Sequence, residues 1–163
     1  VAKSTGLGDN LLVAQYDLSG DAGSLERISG GNNPLPVTGI NKSAFERLGG
    51  LRDGGIDWTS WFNPGLLAAH VALSPLPTTN TIVSYFRGTA LGNPAASMTA
   101  KQVNYDPTRG ADGSLTFSIN ALANGFGLEW GHNLTGSATT VVHASTGAED
   151  LDGFDDGAGA ATD

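Results

Sequence analysis

Four stretches of the chain alternate apolar and polar side chains with the period of a strand, so each has one face to bury. The clearest is 114–122, where Leu115, Phe117, Ile119 and Ala121 point one way and Ser114, Thr116, Ser118 and Asn120 the other. Residues 81–87 and 97–105 alternate in the same manner. In 55–62, Ile56, Trp58, Ser60 and Phe62 alternate with Asp57, Thr59 and Trp61. Trp61 is the anomaly. An indole buries roughly 150–250 Å² when packed, so its place on the polar side calls for a second cover, either the helix after Pro64 or a neighbouring subunit. Residues 11–18, 37–40, 126–130 and 138–143 supply shorter strand candidates.

Two compact helices interrupt this pattern. In 41–50, Ser43 and Glu46 have the spacing of a capping box, Phe45 and Leu48 share a face, and Gly49 suits the left-handed C-terminal position. Asn63 and Pro64 repeat a start signal, and 65–73 carries an apolar stripe that ends before Pro75. Residues 19–36, broken by Gly-Gly-Asn-Asn-Pro, read as a long connection. Residues 106–113, DPTRGADG, read as a projecting hairpin loop that carries Asp106, Arg109 and Asp112. The organisation expected is an N-terminal arm over 1–10, a β-rich domain over 11–143, and an acidic Gly/Ala-rich linker or tail over 144–163. No fixed-period repeat is visible.

Composition agrees with a mainly β chain. Its 163 residues suit one domain, and 24 glycines with 15% charged residues favour short strands and turns over long surface helices. Eight basic against sixteen acidic residues give a net charge of −8, which opposes binding to nucleic acid or to an anionic membrane. No opening segment has the pattern of a signal peptide, and no apolar run approaches the ~20 residues of a membrane span. With no cysteine, the fold has neither disulfides nor thiolate metal sites.

The chain offers no catalytic constellation. His70, His132 and His143 are scattered, without an HExxH pair, and no G-x-S-x-G elbow or phosphate-binding loop is present. TGLGDN starts like a dinucleotide loop but lacks the third glycine and the preceding strand. The acidic residues Glu149, Asp150, Asp152, Asp155 and Asp156 do not follow a calcium-loop register and read as a solvated tail. The expected catalytic, cofactor and metal sites are therefore none. Trp58, Trp61 and Trp130 could stack on sugars, but the first belongs to an apolar face and the last lies among close-packing glycines. Projecting loops and partly apolar second faces point to assembly instead.

The order of features in LPVTGINKSAFERLGGLRDGGIDWTSWFNP, LSPLPTTNTIVSYFRG and AKQVNYDPTRGADGSLTFSINALANGFGLEWG resembles the major tail tube proteins of long-tailed, siphovirus-type bacteriophages, particularly actinobacterial ones. The match spans about residues 5–143. The resemblance implies a β-sandwich or rolled-sheet tail-tube-like fold with one or two short helices and a long β-hairpin loop. It implies rings of six copies whose inner strands join into one barrel, stacked into a tube with other tail proteins at its ends. Genomic DNA then passes the lumen without specific binding, no membrane is involved, and the protein is made in the host bacterial cytoplasm and resides in the virion tail. Related proteins can carry a further C-terminal domain. On this reading Trp61, Arg52, Asp106, Arg109 and Asp112 are candidate assembly contacts, the 106–113 loop and the 1–10 arm meet the next ring, and excess carboxylates line the lumen. A capsid decoration or other virion surface protein, and a carbohydrate-binding β-sandwich module, are the alternatives.

Overall fold

The structure, a computed structural model, describes residues 5–76 and 79–134 and the backbone of 154–155. In chain order it contains β1 (Asn10–Val13), β2 (Tyr16–Asp17), β3 (Ala22–Pro36), β4 (Arg47–Trp61), α1 (Ala69–Leu73), β5 (Thr81–Phe86), β6 (Pro94–Gln102), β7 (Asp106–Arg109), β8 (Leu115–Ala123), β9 (Glu129–Asn133) and β10 (Phe154–Asp155). These ten strands form a single sheet, ordered β2-β1-β5-β6-β8-β4-β3, with β7 on β8, β9 on β6 and β10 on β9. Every pairing is antiparallel.

The sheet turns a corner where Ala100, Lys101 and Gln102 of β6 meet Ala123, Leu122 and Ala121 of β8. Beyond this short pairing β6 continues beside β9, while β8 continues beside β7. Leu11, Val83 and Met98 from one side of the corner share one buried cluster with Ile56, Trp58 and Ile119 from the other. A continuous antiparallel sheet that folds over its own core agrees with the mainly β fold expected, for which the resemblance implied a β-sandwich or a rolled sheet. The helix α1 closes the core with Ala69 and Leu73.

Strand periodicity located β8 and β5 to within about one residue. It also placed Trp58, which is 1% exposed, on the inner face of β4. Four expectations need correction. The supposed connection over 19–36 is largely β3, a fifteen-residue strand paired with β4 from Arg47 to Ser60 with three irregularities in register. Its Pro34 and Pro36 fit because β3 is an edge, where a missing N–H interrupts nothing on the open side. Residues 41–50 form no helix, because Glu46 instead spends its backbone across a loop: its carbonyl accepts from Val37 N at 2.9 Å, and its N–H donates to Thr38 Oγ1 at 3.0 Å. Residues 37–40 are therefore the near side of a hairpin tip rather than a strand. The second helix is only five residues long and starts at Ala69.

Two further boundaries move. The first half of the 106–113 loop is β7, hydrogen-bonded to β8, and a turn over 110–113 follows it. The late strand falls at Glu129–Asn133, a few residues beyond 126–130. The strand expected over 138–143, His143 and most of the acidic tail lie outside the described residues.

Candidate functional site

Among the described residues, the hairpin made by β3 and β4 is the longest, with fifteen residues in each strand. Inside the body β4 contributes Ile56, Trp58 and Ser60 to the interior, and β3 packs Ala22 and Ile28 against it. Beyond the Gly30–Gly54 pair, no residue between Gly31 and Asp53 is buried. This arm nevertheless carries Leu35, Val37, Ile40, Phe45, Leu48 and Leu51, all exposed. Leu35 and Leu48 sit opposite each other in the register. The tip is ordered by the bonds across Glu46, by a Lys42–Glu46 ion pair at 3.0 Å, and by Arg47 over the Phe45 ring at 5.2 Å. Exposed apolar side chains gathered on one projection are the usual composition of an interaction surface.

The base of the arm is seated by the loop before β9. A Cβ on Gly30 or on Gly54 would lie 2.9 or 2.7 Å from Leu128, so the two glycines leave the space this buried leucine occupies. Arg52 adds an ion pair to Glu129 at 2.5 Å and donates to the Leu128 carbonyl at 3.4 Å. Glu129 holds the Arg52 guanidinium above its usual pKa, first through the hydrogen bond and then through its charge. The plug and the ion pair together set where the arm leaves the body.

The outward face of β3, β4, β8 and β7 is polar. Asp57 pairs with Arg27 at 2.6 Å and accepts from Asn120 Nδ2 at 2.7 Å, while Thr59 donates to Glu26 at 2.7 Å. Asp106 and Thr108 of β7 extend the face beside Ser118 and Thr116. Trp61 ends it, 50% exposed, with its indole against Gly23 of β3. A neighbouring strand thus gives it part of its cover within the chain. Phe62, expected inside, is 40% exposed and stands 5.0 Å from His70 and 5.8 Å from Phe117. Tyr105 completes this group by stacking on Phe117 at 4.1 Å.

The five residues singled out from sequence do not form one cluster. Arg52 stands at the arm base, whereas Trp61 is at the other end of β4, opposite Thr116. Arg109 and Asp112 flank the β7–β8 turn next to that end, and Asp106 accepts from Asn104 at 2.6 Å. Ser114 donates twice to Asp112, from Oγ and from its backbone, and holds that carboxyl below its usual pKa. The N-terminal segment is tied down from Thr5: Asp9 accepts from Tyr85 and from Arg87, both at 2.6 Å, and Arg87 also reaches the Thr5 carbonyl. Burial first and then the Asp9 bond push the Tyr85 pKa up to about 12. Among the described residues no group of acidic or imidazole side chains could hold a metal ion, and no helix is long and apolar enough to cross a membrane.

Sequence reasoning missed the arm altogether. Its one legible signal was the paired glycines, Gly30-Gly31 and Gly54-Gly55, which mark both strands where the body ends.

No family model and no curated protein sequence matches the chain. Its fold does match solved structures. A chain in the tail of an empty gene transfer agent particle, determined with C6 symmetry, superposes with a TM-score of 0.58 at 14% identity, covering 79% of this chain and 98% of that one. A chain of the native gene transfer agent virion gives 0.61 at 13% identity, covering 78% and 98%. A chain of the sheath–tube complex of an extracellular contractile injection system, PVC, in its extended state gives 0.56 at 12% identity, covering 80% and 99%. At these identities the shared property is the fold, over nearly the whole of each neighbour.

Proposed function

We propose that this chain is a virion structural protein, the subunit of a phage-like tail tube. Copies close into rings of six, and the rings stack into a conduit through which DNA leaves the particle. The observation that carries this reading is the ordered arm with its exposed apolar side chains. The fold shared with tail and sheath–tube chains supports it. Among the described residues β3 and β7 each pair on one side only, so the four-strand segment β3-β4-β8-β7 has two open edges. Joining the β3 edge of one copy to the β7 edge of the next turns six such segments into a closed barrel and removes the aggregation hazard of free edges. The polar outward face then lines the lumen.

The role is structural, with no cofactor, and its partners are further copies, tail proteins at the tube ends and, without specific binding, the passing DNA. A long-tailed phage of actinobacterial type is the source this reading favours. Trp61, Arg52, Asp106, Arg109 and Asp112, the 106–113 segment and the 1–10 arm remain proposed contacts. The test is the mass of the purified protein in solution followed by electron microscopy. Hexameric rings or tubes are expected. A strict monomer at all concentrations, or a trimer that decorates capsids and never forms tubes, overturns the proposal.

A further inference from the structure

The connection from β8 to β9 carries the chain's single Asn-Gly step, Asn124-Gly125. Every other asparagine precedes a residue with a side chain, and Asn33, Asn63 and Asn93 precede proline, which has no N–H. Asn124 and Gly125 are both exposed. The Gly125 N–H makes no hydrogen bond among the described residues. Its φ is 90°, and no atom lies within 4 Å of the place a Cβ would take, so water reaches this peptide unit freely. The two Asp-Gly steps among the described residues are engaged instead. Gly54 N donates to Asp53 Oδ1 at 2.8 Å within paired strands, and Gly113 N donates to the Gly110 carbonyl at 3.1 Å.

We propose that Asn124 is a site of spontaneous deamidation, converted on the folded protein to isoaspartate and aspartate. Gly125 N gives its proton to hydroxide and attacks Asn124 Cγ. The Cγ–Nδ2 bond breaks, and ammonia leaves with a proton taken from water, closing a five-membered succinimide. One water then opens the ring. Cleavage between Cγ and the Gly125 nitrogen gives aspartate, and cleavage between the backbone carbonyl carbon and that nitrogen gives isoaspartate. The reaction needs no partner copy and no oxidant.

Its consequence falls on the seat of the arm. Asn124 N donates to the Thr99 carbonyl at 2.8 Å, and three residues later a Cβ on Gly127 would lie 3.1 Å from Arg52 Cβ, so both ends of this short turn are fixed. Isoaspartate inserts one more carbon between them, about 1.5 Å of covalent path. The Leu128 backbone, packed on Gly54, has no room to absorb it. Deamidation also removes the Nδ2 donor of the 2.7 Å bond to Asn80 Oδ1. Leu128 therefore loosens from the two glycines that receive it.

The test incubates the full chain at neutral pH and physiological temperature and follows its chymotryptic peptides by mass spectrometry. Exchange of NH2 for OH is expected at Asn124 at least tenfold faster than at any other asparagine, with one heavy oxygen taken up from labelled water and isoaspartate in excess over aspartate. The folded chain reacts within tenfold of a free peptide spanning residues 120–128. Asn124→Gln, which would need a six-membered ring, keeps the parent's far-ultraviolet spectrum and melting temperature and shows no conversion. The converted protein, separated by its added negative charge, exchanges the amide hydrogens of Leu128 and Glu129 at least fivefold faster than the parent and those of Val83 and Met98 at the parent rate. A folded chain more than tenfold slower than the peptide overturns the site, as does conversion no faster than at other asparagines or aspartate formed without isoaspartate. Parent-like exchange at Leu128 and Glu129 in the converted protein overturns the effect on the arm.

Discussion

Two tryptophans three positions apart on β4 show how one side chain's surroundings decide its worth. Trp58 is buried among Ile56, Ile119 and the rest of the core, so Trp58→Ala is expected to cost about 3–5 kcal/mol in chemical denaturation. Trp61 is half exposed and rests on Gly23, so Trp61→Ala is expected to cost no more than roughly 1–2 kcal/mol of monomer stability. A loss for Trp61→Ala as large as that for Trp58→Ala contradicts this placement. Tyr85 supplies a pH signature. Its folded pKa of about 12 lies above the ordinary phenol value of 10.0, so the fold favours the protonated ring. That contribution is complete below the unfolded pKa and disappears as pH rises from about 10 to about 12. Alkaline denaturation should therefore steepen across this window in the parent and flatten in Tyr85→Phe. An unchanged slope in the variant assigns the alkaline loss to other groups. Removing the hydroxyl also deletes its bond to Asp9, at a cost of about 1–3 kcal/mol at neutral pH.

At the scale of elements, the arm's direction depends on the space left by two facing glycines. A methyl group on Gly54 would meet Leu128 N at 2.7 Å, a backbone atom that cannot swing away as a flexible side chain does. Gly54→Ala is thus expected to lose about 1–3 kcal/mol and to speed hydrogen exchange at Leu128 and Glu129. Parent-like exchange at both positions argues against the seat. The same junction explains what the sequence revealed and what it concealed. Period-two alternation exposed β5 and β8 because each has one wet face and one dry face. β3 showed no such pattern, since its distal half has both faces in solvent and its glycines answer to Trp61 and Leu128, far away in the chain. The local cues over 41–50 were consistent with a helix, but Phe45 and Leu48 find no core on which to lay a helical face. Helices of this length gain most of their stability from such packing. The cross-loop bonds of Glu46 prevail instead. The candidate contacts named from sequence were exposed charged or aromatic residues, but only the strand register shows that Arg52 stands at the arm base while Asp112 lies in the turn beside the Trp61 end of β4.

For the whole molecule, the net charge of −8 matters through where its carboxylates stand. The face proposed for the lumen carries Glu26, Asp57 and Asp106 against Arg27, and that guanidinium is already paired with Asp57. On the tube reading, the hydroxyls, amides and surplus carboxylates of this face deny DNA the counterion release that holds it to a basic groove. Reversing two of these charges with Glu26→Lys and Asp106→Lys leaves the Arg27–Asp57 pair intact and removes one exposed hydrogen bond at each site, each worth about 1 kcal/mol. Assembled tubes of this double variant are expected to retain double-stranded DNA at about 50 mM salt and to release it steeply as salt rises, with a log–log slope near −0.9 per phosphate neutralised. Parent tubes should show no retention at either salt concentration. Equal retention by both proteins means that the face lies on the outside of the tube. Retention by the parent, stronger still in the variant, means that cations contributed from elsewhere in the chain outweigh these carboxylates.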